Sequence, residues 1–310
     1  MAPQNTWMNG RIVPWAESTL HVNTEAVNRG ASVFEGLRAY RAAGADDLYL
    51  FRTADHMHRL FDTSMRFLGM RLAYGGEDLI QGVIDLLHAN QVRDDAHIRV
   101  VVYFEEPQLG HDTRVGTGAF IIANPRTQSS RVRDGVRVTL SPWRRLSDNA
   151  MSPRVKASAN YLNSRVISAD AERKGFDGAI ALNERGKVSE GPAQNVFVVR
   201  DGLLSTPRIT DAILEGITRA TILTLSRELG LQAEEREIDP TELYVADELF
   251  FCGTAAEVQP IVEIDHYPVS GGHPGPITTR LQQAYFDLVR GQSAAPDGWL
   301  TSVYGQRVPV

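Results

Sequence analysis

The chain has 310 residues, 43% of them hydrophobic and 23% charged, which is typical of a globular protein and sufficient for about two domains. Its 32 basic and 38 acidic residues give a net charge of −6 and argue against a nucleic-acid-binding protein, which would carry a basic surplus. A single cysteine, Cys252, excludes a disulfide framework and a cysteine-based zinc cluster, and we expect it to be a small core residue. We find neither an apolar run of the ~18–20 residues that a membrane span needs nor a signal peptide, and therefore expect a cytoplasmic enzyme.

The first part of the chain is predicted to contain strands and amphipathic helices. In chain order we expect a strand at residues 48–51, helices at residues 55–70 and 77–90, and strands at residues 98–104 and 119–123. His56 and His58 are two apart on the first helix and point in different directions, so we expect surface side chains and not metal ligands. Residues 105–118 are polar and Gly-rich, and loops of that length are often functional.

A polar, proline-containing stretch without periodicity begins at residue 124 and indicates a linker. We predict a small N-terminal α+β domain at residues 1–123, a linker at residues 124–133 and a larger C-terminal domain at residues 134–310. In the larger domain we expect strands at residues 136–140, 179–182, 196–199 and 248–252 and helices at residues 160–173, 218–229 and 277–290. Strands and helices do not alternate strictly, which favours two α+β domains over one doubly wound sheet.

The chain has only three lysines, so that any lysine chemistry has three candidates. Lys174 ends a predicted helix just before Gly175, where a cation is favourable, and Lys187 lies in a turn. Lys156 lies among small residues before a helix and has no such structural explanation. By elimination it is the candidate for a Schiff base with an aldehyde cofactor or a carbonyl substrate.

Other segments permit a phosphate-bearing cofactor but also have plain structural interpretations. Glu190 precedes a Gly-Pro turn and is either an acidic partner for the ring nitrogen of pyridoxal phosphate or an ordinary turn carboxylate. The turns Leu-Glu-Gly-Ile-Thr at 214–218 and Phe-Cys-Gly-Thr-Ala-Ala at 251–256 either bind phosphate through backbone N–H groups or only cap their elements. Arg59 either reaches a phosphate or lies on a solvated helix face.

These segments, in this order, resemble the class IV, fold-type IV pyridoxal-phosphate aminotransferases, most of all the branched-chain amino acid aminotransferases. The resemblance runs from about Trp7 to Trp299. It rests on six motifs: Ser32-Val-Phe-Glu-Gly-Leu-Arg38, the F-R-x-x-x-H-x-x-R-L pattern of 51–60, Val155-Lys-Ala-Ser-Ala-Asn-Tyr-Leu162, Ser189-Glu-Gly-x-x-x-Asn-Val-Phe197, Leu214-Glu-Gly-Ile-Thr-Arg219 and Gly253-Thr-Ala-Ala-Glu257. It implies an α+β, two-domain enzyme with the D-amino acid aminotransferase-like fold, pyridoxal 5'-phosphate as cofactor, no metal and a homodimer or higher homo-oligomer.

The resemblance also implies roles for individual residues. Lys156 would be the catalytic Schiff-base lysine, with Glu190 at the pyridine nitrogen and Tyr161 at the phenolic oxygen. Other cofactor-binding residues would be Arg59, Leu214, Gly216, Ile217, Thr218, Gly253 and Thr254. Substrate-binding residues would be Arg29, Phe34, Gly36, Arg38, His97, Arg99, Thr254 and Ala255.

Two positions depart from the branched-chain pattern, which has tyrosines where this chain has Arg29 and His97. The implied activity is transamination between branched-chain L-amino acids and 2-oxoglutarate, in branched-chain amino acid biosynthesis. The departures keep open a D-amino acid or (R)-amine transaminase. A lyase of the aminodeoxychorismate type and a non-enzymatic binding protein are further alternatives.

Overall fold

The computed structural model describes residues 4–105 and 116–305, so most of the predicted polar loop, residues 106–115, lies outside the described residues. By its contacts the chain divides into two compact units. The first comprises Met1–Thr127, Val155–Ala159 and Asp287–Val310, and the second comprises Gln128–Arg154 and Asn160–Phe286. The boundary between Thr127 of the first unit and Gln128 of the second falls inside the expected linker. The Lys156 segment and the C-terminal residues are grouped with the first unit, because the units are defined by spatial contacts and not by chain order.

The described residues form strands and helices with the following bounds. The strands are β1 (Asn5–Met8), β2 (Arg11–Pro14), β3 (Ser32–Arg41), β4 (Leu48–Phe51), β5 (Ala96–Phe104), β6 (Thr117–Pro125), β7 (Val136–Leu140), β8 (Gly178–Ile180), β9 (Asn195–Arg200), β10 (Leu203–Thr206), β11 (Ala233–Glu235), β12 (Glu248–Gly253), β13 (Glu257–Ile264), β14 (Tyr267–Pro268) and β15 (Leu300–Ser302). The α-helices are α1 (Glu25–Arg29), α2 (Thr53–His58), α3 (Arg66–Leu68), α4 (Gly76–Ala89), α5 (Ser130–Asp134), α6 (Asn160–Arg173), α7 (Ile217–Glu228) and α8 (Pro276–Val289). A π-helical segment, Arg59–Met65, joins α2 to α3.

The first unit contains a seven-stranded antiparallel sheet in the order β15-β4-β3-β5-β6-β1-β2. The inner strand β3 is buried at every residue except Arg41, so both faces of this strand are covered. β3 pairs with β5 in a continuous register from Ser32 opposite Tyr103 to Ala39 opposite Ala96. Helix α4 buries Leu79, Val83 and neighbouring apolar residues at helical spacing.

The second unit contains a mixed sheet in the order β11-β10-β9-β12-β13-β7-β8, with β14 paired to β13. β12 is antiparallel to both β9 and β13, while β7 is parallel to both β13 and β8. Buried apolar residues from several strands form one core cluster, among them Val138, Ile180, Val196, Leu249 and Ile261. Cys252 is buried on β12, which confirms the expected core position.

The strongly periodic segments are confirmed as helices: α4, α6, α7 and α8 lie within a residue or two of their predicted bounds. The helix expected at residues 55–70 is instead α-helical, then π-helical, then α-helical. Within the range of the expected linker, β6 continues to Pro125 and α5 begins at Ser130. Among the described residues, no helix combines the length and the apolar character needed to span a bilayer.

Candidate active site

Lys156 lies on a short segment that is held at its backbone on both sides. Its carbonyl accepts a hydrogen bond from the Phe34 N–H at 3.0 Å, and its own N–H donates to Ser64 Oγ at 3.1 Å. Ala157 forms an antiparallel bridge with Val33. β3 and the π-helical segment therefore fix the backbone position of Lys156. Its Nζ lies 5.1 Å from the centre of the Phe34 ring.

The two other lysines are engaged in ion pairs on the surface. Lys174 Nζ lies 2.7 Å from Asp170, one helical turn earlier on α6. Lys187 Nζ lies 2.6 Å from Asp239. Both contacts support the structural roles that the sequence indicates for these lysines.

Arg59 is buried at the start of the π-helical segment and pairs with a carboxylate of β3. Its Nε lies 2.7 Å from Glu35 Oε1 and its Nη2 lies 2.8 Å from Glu35 Oε2, a two-pronged contact. His56 Nδ1 lies 2.7 Å from the same Oε2. The expectation that His56 is a surface residue is wrong, because the residue is only 2% exposed; His58 is exposed.

Phe34, Gly36 and Arg38 alternate along β3 and therefore share one face of the sheet. On the neighbouring strand Arg99 is opposite Gly36 and His97 is opposite Arg38. The Arg99 guanidinium carbon lies 3.8 Å from the centre of the Phe34 ring, a cation–π contact. The sheet register thus brings together five of the predicted substrate-binding residues.

His97 occupies space that a side chain at position 36 would fill. A Cβ added to Gly36 would lie 3.2 Å from His97 Nε2, so the glycine makes room for the ring. Burial, together with the positive charges of Arg38, Arg126 and Arg99, lowers the pKa of His97 to about 4. The imidazole is therefore neutral near pH 7.

Arg29 is in a different setting from the residues of that sheet face. It ends helix α1, and its side chain is 63% exposed. Its Nη1 lies 2.9 Å from Glu25 Oε1, one helical turn earlier. The structure thus gives Arg29 a local ion pair on its own helix.

In the second unit, Glu190 is buried, and its carboxylate lies against an arginine, a side-chain amide and a backbone N–H. Arg145 Nη2 lies 2.7 Å from Oε1, Asn195 Nδ2 lies 2.9 Å from Oε2, and the Leu214 N–H lies 3.2 Å from Oε2. These contacts hold the carboxylate in one orientation. The sequence did not indicate Arg145, because nothing in the residues around it marks a pairing with a glutamate 45 positions later.

The first turn of α7 offers a geometry suited to a phosphate. Its N-cap is Gly216, which has no side chain with which to cap the helix, and Ile217 and Thr218 follow as buried residues. A Cβ at Gly216 would lie 1.9 Å from Asn195 Oδ1, so only glycine fits against that side chain. Backbone N–H groups and the helix dipole at such a terminus attract anions.

The remaining predicted cofactor residues lie at the ends of elements. Gly253 ends β12, and Thr254 and Ala255 form the turn into β13, half-buried and exposed respectively. Tyr161 is half-buried in the first turn of α6. Cys252 is buried, which raises the pKa of its thiol, so it is not an available nucleophile near pH 7.

Comparison with known proteins relates the chain to one family. The family model described as "Amino-transferase class IV" matches residues 32–264. The probable branched-chain-amino-acid aminotransferase of Aquifex aeolicus (strain VF5) is 39% identical over 302 residues, covering 96% of this chain and 96% of that protein.

Solved structures agree with this match. The branched-chain amino acid aminotransferase of Thermobaculum terrenum in its PLP form superposes with a TM-score of 0.91 at 40% identity, covering 97% of this chain and 99% of that one. The branched-chain aminotransferase of the thermophilic archaeon Thermoproteus uzoniensis with norvaline superposes with a TM-score of 0.92, also at 40% identity, covering 97% of this chain and 100% of that one. The expected two-domain fold of type IV is confirmed.

Proposed function

Because the chain belongs to the class IV amino-transferase family and is a pyridoxal-phosphate-dependent aminotransferase, we propose that it exchanges the amino group of branched-chain L-amino acids with 2-oxoglutarate. One feature of the structure carries the substrate part of this proposal. The Phe34 ring has the Lys156 amine 5.1 Å from its centre and the Arg99 guanidinium 3.8 Å from its centre. The Lys156 amine, which would react with the cofactor, and the Arg99 guanidinium, which would pair with a carboxylate, thus both lie next to the apolar ring of Phe34.

The residues present are suited to the cofactor, which when bound serves as an electron sink for the substrate carbanion. We propose that Lys156 carries the cofactor as a Schiff base and moves the proton during the reaction. The buried Glu190 carboxylate, held by Arg145 and Asn195, would accept a charge-assisted hydrogen bond from the pyridine N–H. Tyr161 would hold the phenolic oxygen, and Leu214 would pack on the ring face.

We propose that the phosphate is held by Arg59 and by the first turn of α7 at Ile217 and Thr218, with Thr254 adding a further donor. The glycine N-cap and the buried arginine support this assignment, because both provide positive potential at fixed positions. Gly216 and Gly253 would permit close approach of the backbone.

Substrate recognition is assigned to the face formed by Phe34, Gly36, Arg38, His97 and Arg99. Arg38 and Arg99 would pair with carboxylates, since a buried carboxylate without a partner costs several kcal/mol. Thr254 and Ala255 would offer backbone N–H groups to the substrate carboxylate.

The local ion pair of Arg29 with Glu25 argues against a direct role for Arg29 in holding a carboxylate, the role that would favour D-amino acids or (R)-amines. We further propose a cytoplasmic homodimer or higher homo-oligomer that serves branched-chain amino acid biosynthesis.

Two linked measurements test this function. Borohydride reduction followed by peptide mapping is expected to place the pyridoxyl group on Lys156, and Lys156→Ala is expected to abolish transamination while the protein still folds. Lys174→Ala is the matched control, since it removes a lysine whose contact is a surface ion pair. A pyridoxyl group on Lys174 or Lys187 would contradict the assignment.

The second measurement mixes the yellow enzyme with L-leucine, D-alanine, D-glutamate and (R)-1-phenylethylamine and follows the loss of the visible cofactor absorbance. Rapid bleaching by L-leucine alone is the expected result. Faster bleaching by a D-amino acid or the amine would show that the substrate class is wrong while the cofactor chemistry is right.

A further inference from the structure

The buried histidine of helix α2 has no part in the function proposed above. His56 is 2% exposed, and its Nδ1 lies 2.7 Å from Glu35 Oε2. It lies three residues before Arg59, so the two side chains leave the chain on neighbouring positions of one helical path. Both reach the same carboxylate.

Glu35 is the centre of this group. It is fully buried on β3, and its two oxygens receive Arg59 Nε, Arg59 Nη2 and His56 Nδ1, all within 2.8 Å. Burial alone would raise the pKa of Glu35, but the charge and hydrogen bonds of Arg59 and the hydrogen bond of His56 outweigh it and lower the pKa to about 2. Because the carboxylate is ionised near pH 7, His56 Nδ1 carries the hydrogen and donates it.

This contact fixes the plane of the Arg59 guanidinium. A carboxylate that accepts from both Nε and Nη2 leaves the planar group no rotation about its last bond. His56 in turn holds Glu35 Oε2, so that the carboxylate keeps the orientation that the arginine needs. Successive strand residues project to opposite faces, and Glu35 therefore lies behind the face that carries Phe34 and Gly36.

A role in packing alone explains this group poorly. A buried ion pair with a third polar partner is often no more stabilising than apolar residues of similar volume, since all three groups must leave water. What apolar residues cannot supply is a fixed direction for a cation at the end of a long flexible side chain.

We propose that Glu35 and His56 are positioning residues that hold Arg59 in the orientation in which it receives a phosphate monoester dianion, the phosphate of the cofactor. This inference rests on the proposed function, which assigns the phosphate to Arg59. It assigns no contact with the cofactor to Glu35 or His56, which act through the arginine.

The test compares two ligands that differ only in the phosphate. The apoenzyme is titrated with pyridoxal 5'-phosphate and with pyridoxal, and the ratio of the two dissociation constants measures how strongly the protein recognises the phosphate. His56→Phe is expected to lower this ratio about tenfold, because the loss of one buried hydrogen bond loosens the arginine. The affinity for pyridoxal is expected to stay within about twofold of the original value.

Two further variants separate positioning from stability. His56→Asn keeps a donor near the position of Nδ1 and is expected to restore most of the ratio. Thr53→Val is the matched control, because Thr53 is also buried on α2 but its hydroxyl pairs with Thr301 and not with Glu35. The control is expected to lower the melting temperature and leave the ratio unchanged.

An unchanged ratio in His56→Phe, or an equal fall in Thr53→Val, overturns the inference. Arg59→Gln tests whether Arg59 holds the cofactor phosphate, as the proposed function assumes. If that variant keeps the full ratio of dissociation constants, Arg59 does not hold the phosphate and this part of the proposed function is wrong. If Arg59→Gln loses the ratio and His56→Phe does not, only the positioning role fails. If Glu35→Gln folds, it is expected to lower the ratio at least as far as His56→Phe does.

Discussion

Two buried arginine–carboxylate pairs distinguish the candidate site at the scale of single residues. Arg59 pairs with Glu35 in the first unit, and Arg145 pairs with Glu190 in the second. Arg59 and Glu190 belong to the proposed cofactor site. Their ion pairs with Glu35 and Arg145 were identified only from the structure. The orientation of each proposed site residue is thus fixed by a neighbour that is distant in sequence.

The proposed role of Arg99 gives a prediction about substrate choice. Arg99→Ala is expected to raise KM for 2-oxoglutarate about 10- to 100-fold, because a charge-assisted hydrogen bond to the second carboxylate is lost. KM for a branched-chain 2-oxo acid, which has no second carboxylate, is expected to change far less. Steady-state kinetics with both acceptors provide the measurement.

Arg41→Ala is the control for Arg99→Ala, since Arg41 is an arginine of the same sheet whose side chain is exposed and pairs with Asp94. Equal increases in KM for both acceptors would count against a specific role of Arg99 in dicarboxylate recognition.

At the scale of elements, the π-helical segment decides where two proposed site residues lie. Its hydrogen bonds close over five residues, so that each turn holds an extra residue and the positions that follow are rotated relative to an α-helix. Arg59 begins this segment, and Ser64 within it accepts the Lys156 N–H. A pattern search at the α-helical period predicts a helix here but not this rotation.

Helix α8 depends on a glutamate from a strand for its N-terminus. Glu248 on β12 is buried and accepts hydrogen bonds from the N–H groups of Ile277 and Thr278 and from Thr278 Oγ1. These N–H groups have no partner within the helix itself. Glu248→Ala is expected to lower the free energy of unfolding by about 2–3 kcal/mol.

Urea denaturation measures this loss, and Glu248→Gln, which keeps an acceptor oxygen, is expected to lose less. Activity per folded molecule is expected to stay unchanged in both variants, because Glu248 belongs to none of the proposed contacts with cofactor or substrate. An alanine variant as stable as the original protein would show that the helix finds other acceptors.

At the scale of the whole molecule, Glu35 makes stability sensitive to acid. Its pKa is lowered from 4.5 to about 2 in the folded protein, so the folded state favours the ionised form. This contribution is complete above the ordinary pKa and is lost as the pH falls from 4.5 towards 2; its full size is about 3 kcal/mol. The free energy of unfolding should therefore fall over this range.

Urea denaturation of the original protein and of Glu35→Gln at about pH 5 and about pH 3 isolates this contribution from those of other carboxylates. The stability difference between the two proteins is expected to shrink at the lower pH. A difference that stays constant would mean that Glu35 is not ionised in the folded state.

The sequence by itself determined the family, the fold class and most long elements. Helices such as α4 and α6 are marked by apolar periodicity, which depends only on neighbouring residues along the chain, and the six motifs are also local. Strands such as β1 and β11 were not predicted, because they are short and contain polar residues, and they are stabilised by pairing with other strands.

Only the tertiary structure decided which side chains meet. His56 looks like a surface residue in the sequence, and it is buried because β3 places Glu35 against α2. Arg145 has no local signal, and it is identified only by its contact with Glu190. Arg29 stands at a position that the resemblance assigns to substrate binding, yet its side chain is mostly exposed and pairs with Glu25. Residue type and local pattern establish which chemistry is available, whereas burial and ion pairing depend on contacts across the chain, which no local pattern contains.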